Sequence, residues 1–383
     1  MNFRSAHTQK DSFDKVLLYL VIILISFGLL MVFESSSSFA QVVFSNKYKF
    51  VSQHIVWVVA GSIGALIFYK LNIESIKRIT KPLFYLSLSI LSVLALQYIL
   101  SQLFHKPVET PFTKVTYGAY RWVVITDYIR FQPSDLAKLS FILYASMFLE
   151  KIVEGDKRKT LGFFIVTFIT TGLIALEPDF GTASIFMGLA MVLYFVSGLP
   201  LLYLFTVFPV LIFLGGILSF SSEYRRQRLL TFFKPSVSNV MAEGYHITQV
   251  LIAIGSGGLF GLGFGESRQK YAYIPEVVSD SIFAVIAEEF GFIGSIILLA
   301  LFLFLIFRGI KIAKRQKNPF RKYVAVGVTC WIGFQAFVNL FAMTHLIPLT
   351  GVPLPFISYG GSSMVFSLMG IGLLLNISKS SAH

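Results

Sequence analysis

The stretch that decides the fold is Tyr245–Gly294, YHITQVLIAIGSGGLFGLGFGESRQKYAYIPEVVSDSIFAVIAEEFGFIG. It opens as an apolar run crowded with glycine (255, 257, 258, 261, 263 and 265) and turns through charged residues to Pro275, Glu276 and Asp280. It then enters a long apolar run that still carries Glu288 and Glu289. Carboxylates at the mouth of a bilayer span, or inside one, are costly to place there, so each is a functional hypothesis by default. The glycine-rich part lacks the strand–loop–helix setting of a nucleotide fold, which removes a P-loop or dinucleotide reading.

Moving outward, the whole chain reads as a membrane protein. Hydrophobic residues make up 55% and charged residues only 13% of 383, with a mean hydropathy of +0.75. A soluble domain carries about a quarter charged residues. The first apolar run, Val16–Phe33, has a mixed-charge flank and no small-residue cleavage site, so it reads as a span and not a cleaved signal. Cys330 is the lone cysteine, so the chain has no internal disulfide. A net charge of +13 would suit nucleic acid in a soluble protein. Here it reads as membrane topology and attraction to anionic lipid, with no nucleic-acid partner expected.

Runs near the length of about 20 residues that crosses a bilayer predict an all-α polytopic protein of about ten transmembrane helices. They fall at 16–33, 53–69, 82–104, 134–150, 160–177, 180–197, 200–220, 281–307, 323–343 and 358–377, within one integral membrane domain spanning 1–383. The fifth and sixth are separated only by Glu177-Pro178-Asp179, which also permits a re-entrant kink. Lys and Arg concentrate in alternate connections: Lys70 to Lys81, Lys151 to Lys159, and Arg308 to Lys322. The positive-inside rule then places both termini in the cytoplasm. One large extracytoplasmic loop, 221–279, lies between spans seven and eight, and Asp280 opens to the outside. Within that loop, Thr248–Phe264 is too short and broken for a span and is expected to lie along or dip into the outer interface.

Polar constellations gather at the outer ends of these spans. Arg121-Trp122 reads either as an interfacial anchor with a snorkelling base or as a substrate contact. Asp135 and Lys138, one turn apart after Pro133, suit an ion pair that locks the fourth span. Glu177 and Asp179 flank Pro178; Asp179 suits a helix cap, and the pair also suits a cation. Arg225, Arg226 and Arg228 form an anion site matched to diphosphate oxygens or to lipid headgroups in general. Ser267 and Lys270 add polar groups to the glycine-rich turn as candidate substrate contacts. Glu288 lies roughly 12 Å of helix beyond Asp280, so Glu288 and Glu289 are expected to pair inside the bundle. One Cys and scattered His residues exclude a zinc site as far as sequence can. The stretch from Pro348 to Ser363, rich in Pro and Gly, predicts rigid non-helical backbone at the rim.

Taken in order, YGAYRW, FQPSDLAKL, EPDFGTA, YHITQVLIAIGSGGLFGLGFG, YIPEVVSDSIFAVIAEEFGFIG and PLTGVPLPFISYGGSS resemble the SEDS family of shape, elongation, division and sporulation proteins. The likeness runs almost the whole chain, and ESRQKYAYIPE is more similar to the FtsW type than to the RodA type. Asp135 stands where that family usually has Glu, and Ser279 where Thr usually precedes the aspartate.

The resemblance implies a peptidoglycan glycosyltransferase that polymerises lipid II at the outer face of the bacterial cytoplasmic (inner) membrane, at the division septum. It implies Asp280 as the essential outer-loop aspartate, Glu276 as its acidic neighbour, and Arg121-Trp122 as the family's Arg-Trp pair. On this reading Asp280 is the general base for the acceptor hydroxyl. Arg225, Arg226, Arg228 and Lys270 stabilise the departing diphosphate, and a divalent cation (Mg or Mn) is compatible with the reaction. The expected partners are lipid II, glycan on undecaprenyl diphosphate, a class B penicillin-binding protein and divisome proteins. A lipid II flippase and a non-catalytic scaffold are the rival classes, and a RodA-type elongation polymerase is the rival within the family.

Overall fold

Serine clusters usually end apolar helices, yet the first helix runs straight through one. The computed structural model describes residues 13–113, 119–126, 130–155, 159–207, 209–210, 232, 242–270 and 276–379. In it α1 spans Lys15–Phe44, eleven residues beyond the expected Val16–Phe33. Ser35 and Ser36 donate their hydroxyls back to the Met31 and Val32 carbonyls, 2.7 and 2.6 Å away, so the polar side chains are satisfied without leaving the helix.

The next helices are α2 (Lys49–Lys70), α3 (Ile73–Phe104, with Pro82 inside), α4 (Pro133–Val153), α5 (Lys159–Leu176) and α6 (Phe180–Val196). After the segment that carries the expected seventh span come α7 (Ala242–Ser256), α8 (Ile282–Lys314), α9 (Pro319–Met343) and α10 (Gly361–Lys379). That seventh span, 200–220, falls mostly outside the described residues; 202–207 is helical. Two-residue strands β1 (Val123–Val124) and β2 (Arg130–Phe131) form a small antiparallel hairpin in the loop before α4, an addition to the all-helical expectation.

Six of these helices (α1, α2, α3, α8, α9 and α10) are long and apolar enough to cross a membrane. α4 is of spanning length but carries Asp135, Lys138, Glu150 and Lys151, and nearly all of it is buried, including Asp135 and Lys138 at 2% exposure. It can hold charge because protein surrounds it; the lipid-facing surface is supplied by α2, whose Ile55, Val56, Val59, Ile63, Leu66 and Ile67 are exposed. α5 and α6 form an antiparallel hairpin. The ring of Phe164 near the start of α5 lies 5.1 Å from that of Tyr194 near the end of α6, tilted against it, so Glu177-Pro178-Asp179 is the tip of a hairpin. α2 and α10 approach through small residues: a Cβ on Gly372 would lie 2.2 Å from the Ala65 carbonyl oxygen.

The ends sort by charge. At one end Lys77 pairs with Glu150 at 2.8 Å, Arg308 with Asp14, and Asn376 reaches the Phe68 and Leu71 carbonyls. Lys70, Lys151, Lys311, Lys314 and Lys379 lie in the last turns of α2, α4, α8 and α10 at this same end. The opposite end carries Asp280 and Glu276, with Arg121, Glu177 and Asp179 beside them.

Candidate active site

The stretch quoted first folds as a broken helix repaired by its own upstream loop. Inside α8, Gly291 has φ +64° and ψ −161°, which interrupts the helical hydrogen bonds. The orphaned groups are taken by residues 258–263. Phe292 and Ile293 donate their N–H groups to the Gly258 and Leu259 carbonyls at 2.9 and 3.1 Å. Leu262 and Gly263 donate to Glu288 and Glu289 at 2.9 and 3.1 Å. Non-helical backbone in a membrane protein persists only where such partners exist. The approach requires glycine: a Cβ on Gly257 would lie 2.0 Å from the Ala287 oxygen, and one on Gly261 2.1 Å from the Glu289 oxygen. Thr248–Phe264, expected to lie along or dip into the outer interface, packs against α8. Its first half is α7, with Val250 and Ala253 buried, and its second half is locked to the α8 break.

This lock fixes Glu288 and Glu289. Glu288, 1% exposed, accepts from the Arg268 and Gln269 N–H groups (3.1 and 3.4 Å) and from the hydroxyls of Ser267 and Ser256. Glu289 accepts from the Ser267 N–H and sits 3.3 Å from the Lys270 ammonium. Lys270 also binds Glu34 of α1 and the Gly265 carbonyl. Burial works against the Lys270 charge, but the hydrogen bond to Glu34 and the two carboxylates outweigh it and raise the ammonium pKa above its ordinary value. Ser267 and Lys270, expected to meet substrate, are 0% and 4% exposed and are spent on this network. Glu34 was not anticipated from sequence.

Asp280 lies in the turn before α8 and is 8% exposed. Its surroundings come from three parts of the chain. Asn339 near the end of α9 donates from one amide nitrogen to the Asp280 carbonyl (2.7 Å) and to the Val352 carbonyl (2.8 Å). Tyr359 donates its N–H to the Val278 carbonyl at 2.8 Å. Ser279 lies 3.3 Å from an Asp280 carboxylate oxygen and 2.9 Å from that of Glu276, joining the two acids through one hydroxyl. Glu276 itself is exposed and holds φ +51°. His246 of α7 meets the Ser281 hydroxyl at 2.7 Å. Asn339 and His246 are the positioning groups that sequence reading did not single out as site residues.

The segment 350–352 continues the network. Gly351, with φ +67°, passes the Asp280 carboxylate; a Cβ there would lie 3.8 Å from Oδ2. Its neighbours Thr350 and Val352 pack on Gly181 at the start of α6. Asp179 caps α6 by accepting from the Thr182 N–H at 3.1 Å and also faces Gln132 at 3.3 Å. Arg121 donates its guanidinium to the Glu177 and Pro178 carbonyls, so it clamps the hairpin tip; Trp122 beside it is half-buried. Burial first, and then Asp179, push the Glu177 carboxyl well above the usual range, against a smaller opposing pull from Arg121. Asp135 and Lys138 pair at 2.8 Å. Ser362 donates to Asp135, and Lys138 donates to Gln335, which in turn reaches the Pro353 carbonyl. Arg225, Arg226 and Arg228 lie outside the described residues.

Among the described residues, no group of three or more His, Cys, Asp or Glu is placed to hold a metal ion. Asp280 and Glu276, bridged by Ser279, would have to act with phosphate oxygens of a substrate, a donor set that suits Mg²⁺.

These features define a class: a multi-pass helical membrane protein with an acid-bearing rim built from the ends of several helices. The chain belongs to the FtsW, RodA and SpoVE family of cell cycle proteins, whose family model matches residues 14–383. It is 32% identical over 381 residues to stage V sporulation protein E of Bacillus subtilis (strain 168), covering 98% of this chain and 100% of that protein. It is 34% identical to the probable peptidoglycan glycosyltransferase FtsW of Geobacter sp. (strain M18), covering 96% and 97%. Among solved structures, a chain of a peptidoglycan synthase complex that coordinates polymerization and crosslinking matches with a TM-score of 0.75 and 26% identity, over 97% of this chain and 98% of that one. The rod shape determining protein RodA of Thermus thermophilus matches with a TM-score of 0.68 and 25% identity, over 97% and 98%.

Proposed function

We infer that this protein is a peptidoglycan glycosyltransferase of the FtsW type, polymerising lipid II into glycan strands for septal wall synthesis. The observation that carries the reading is Asp280: a carboxylate on the rim opposite the basic end, with its backbone held by α9 and by the 344–360 loop. The basic end faces the cytoplasm of the inner membrane by the positive-inside rule, and Asp280 then faces the side where wall is built.

In this mechanism Asp280 takes the proton from the acceptor 4-hydroxyl of lipid II as that oxygen attacks the anomeric carbon of the donor glycan. The bond to undecaprenyl diphosphate breaks, the lipid diphosphate leaves, and the configuration inverts. Arg225, Arg226 and Arg228 supply positive charge to the departing diphosphate. A divalent cation, held by Asp280 or Glu276 together with phosphate oxygens, would supply further charge neutralisation. Ser267 and Lys270 hold the loop from behind, and Arg121 fixes the hairpin tip. A class B penicillin-binding protein and divisome proteins are the proposed partners, a reading supported by the likeness to a synthase complex that couples polymerization with crosslinking.

The test is polymerisation of lipid II by purified protein with its transpeptidase partner. Wild type makes glycan chains; Asp280→Asn, nearly isosteric, folds and makes none. A variant that polymerises at the wild-type rate removes Asp280 from the reaction. Transport of labelled lipid II across vesicles by a wild type that never polymerises would replace the enzyme reading with the flippase.

A further inference from the structure

At the basic end, remote from Asp280, the chain encloses a second polar site. A cavity of about 400 Å³ lies where the starts of α1 and the ends of α8 and α10 meet, lined by Phe13, Asp14, Lys15, Val16, Arg308 and Arg315 together with Ile312 and Ser378. That volume lies within the range of small-molecule sites. Three cations face one carboxylate, and the carboxylate is occupied: Asp14 accepts from the Leu17 N–H at 2.9 Å and from Arg308. Arg308 still has its Nε buried with no hydrogen-bond partner. Lys15 and Arg315 make no ion pair among the described residues. Beside the cavity, Gln316 donates to the Ile312 and Ile377 carbonyls. The N–H groups of the first α1 turn add their own positive end.

We propose that this cavity binds the phosphate headgroup of an anionic phospholipid from the leaflet on the basic side. The phosphate chemistry follows from the surplus of cations and the helix start. The lipid source follows from the walls: Val16 lines the cavity and is 39% exposed, and Tyr19, Ile22 and Ile23 continue the exposed apolar stripe along α1. An acyl chain lies along that stripe while its phosphate enters between Lys15 and Arg315. Basic pockets between helix ends on this side of a membrane are suited to such headgroups.

The test uses full-length protein in nanodiscs of equimolar phosphatidylcholine and phosphatidylglycerol, followed by native mass spectrometry of the retained lipid. Wild type enriches phosphatidylglycerol. The double variant Lys15→Gln with Arg315→Gln loses that enrichment by roughly thirtyfold, from about one surface-charge increment per residue. The pair Lys311→Gln with Lys314→Gln removes the same charge from α8 residues outside the lining and keeps the enrichment. The swap Lys15→Arg with Arg315→Lys also keeps it, which separates lost charge from lost folding. Equal loss in both neutralised pairs, or no enrichment in wild type, overturns the proposal. So does inorganic phosphate displacing the retained phosphatidylglycerol, since the site would then belong to a soluble anion.

Discussion

Replacing Gly261 by alanine isolates the lock between the glycine-rich loop and the broken helix. The new methyl would lie 2.1 Å from the Glu289 oxygen, 2.4 Å from the Glu289 carbonyl carbon and 2.7 Å from the Phe290 nitrogen. All three are backbone atoms, so no rotamer change relieves the clash and the loop must back away. Gly261 also holds φ +83°, a region that costs an L-residue about 1–2 kcal/mol. Backing away breaks at least the Leu262 and Gly263 hydrogen bonds to Glu288 and Glu289, and each of those two carbonyls, on buried residues, costs about 1–3 kcal/mol when left unpaired. The sum is a destabilisation of at least about 3 kcal/mol. Gly255→Ala is the matched control. It lies within α7 with nothing within 4 Å of the added carbon, and there alanine gains roughly 1 kcal/mol over glycine. The two substitutions, six residues apart, therefore have opposite signs. Thermal unfolding in nanodiscs by intrinsic fluorescence measures both, and amide exchange at Phe292 and Ile293 reports the lock directly. A Gly261→Ala midpoint at or above that of Gly255→Ala refutes the lock.

The other predictions concern charge and positioning. Asn339→Ala removes both amide bonds that hold the Asp280 and Val352 carbonyls, and misplacing a reacting group by about 1 Å costs on the order of 100-fold in rate; polymerisation kinetics beside a thermal midpoint separate this from unfolding. Lys270→Met leaves Glu34 and Glu289 without their shared cation, a loss of about 3–5 kcal/mol. Lys270→Met combined with Glu289→Gln recovers much of it, and a double variant no more stable than the single would contradict the pairing. Burial and Asp179 raise the Glu177 carboxyl, so the folded chain keeps a proton that the unfolded chain releases. Stability then falls as pH rises from the ordinary carboxylate range to the raised value, and Glu177→Gln flattens that slope in a series of melting curves.

The sequence made the membrane class, the helical hairpin around Pro178 and the polar outer rim legible, because each leaves a local mark: an apolar run of set length, a proline beside a cap, charges where lipid would forbid them. What stayed hidden depends on partners distant in the chain. Glu34 follows an apolar run and looks like its boundary, and its cation lies 236 positions away. The Ser35 and Ser36 hydroxyls look like a helix stop until they are seen bonding backward within α1. Gly291 is one glycine in an apolar run, and its break is visible only against Gly261, whose nitrogen would lie 2.3 Å from a Cβ on Gly291. The strands β1 and β2 are two residues each, too short for any alternation to register. Asn339 reads as one more polar residue in a span; its meaning is the two carbonyls it joins.

The acids of the quoted stretch divide by what their environment leaves them able to do. Glu288 is surrounded by N–H and O–H donors from Ser256 and residues 267–269, which hold its carboxylate in place. It serves the loop as a backbone cap would. Glu289 is held beside Lys270 and, through it, ties α1 to the break in α8. Neither can move to meet a sugar hydroxyl without unfastening the lock. At Asp280 the main chain is held: Asn339 holds its carbonyl and Tyr359 the carbonyl two residues before it, while the Ser279 hydroxyl lies 3.3 Å from its carboxylate. Fixing the main chain sets the position of the side chain in advance, as the general base proposed for this site requires, because the geometry must be set before the proton moves. Glu288 and Glu289 therefore keep rigid the helix that follows the turn carrying Asp280.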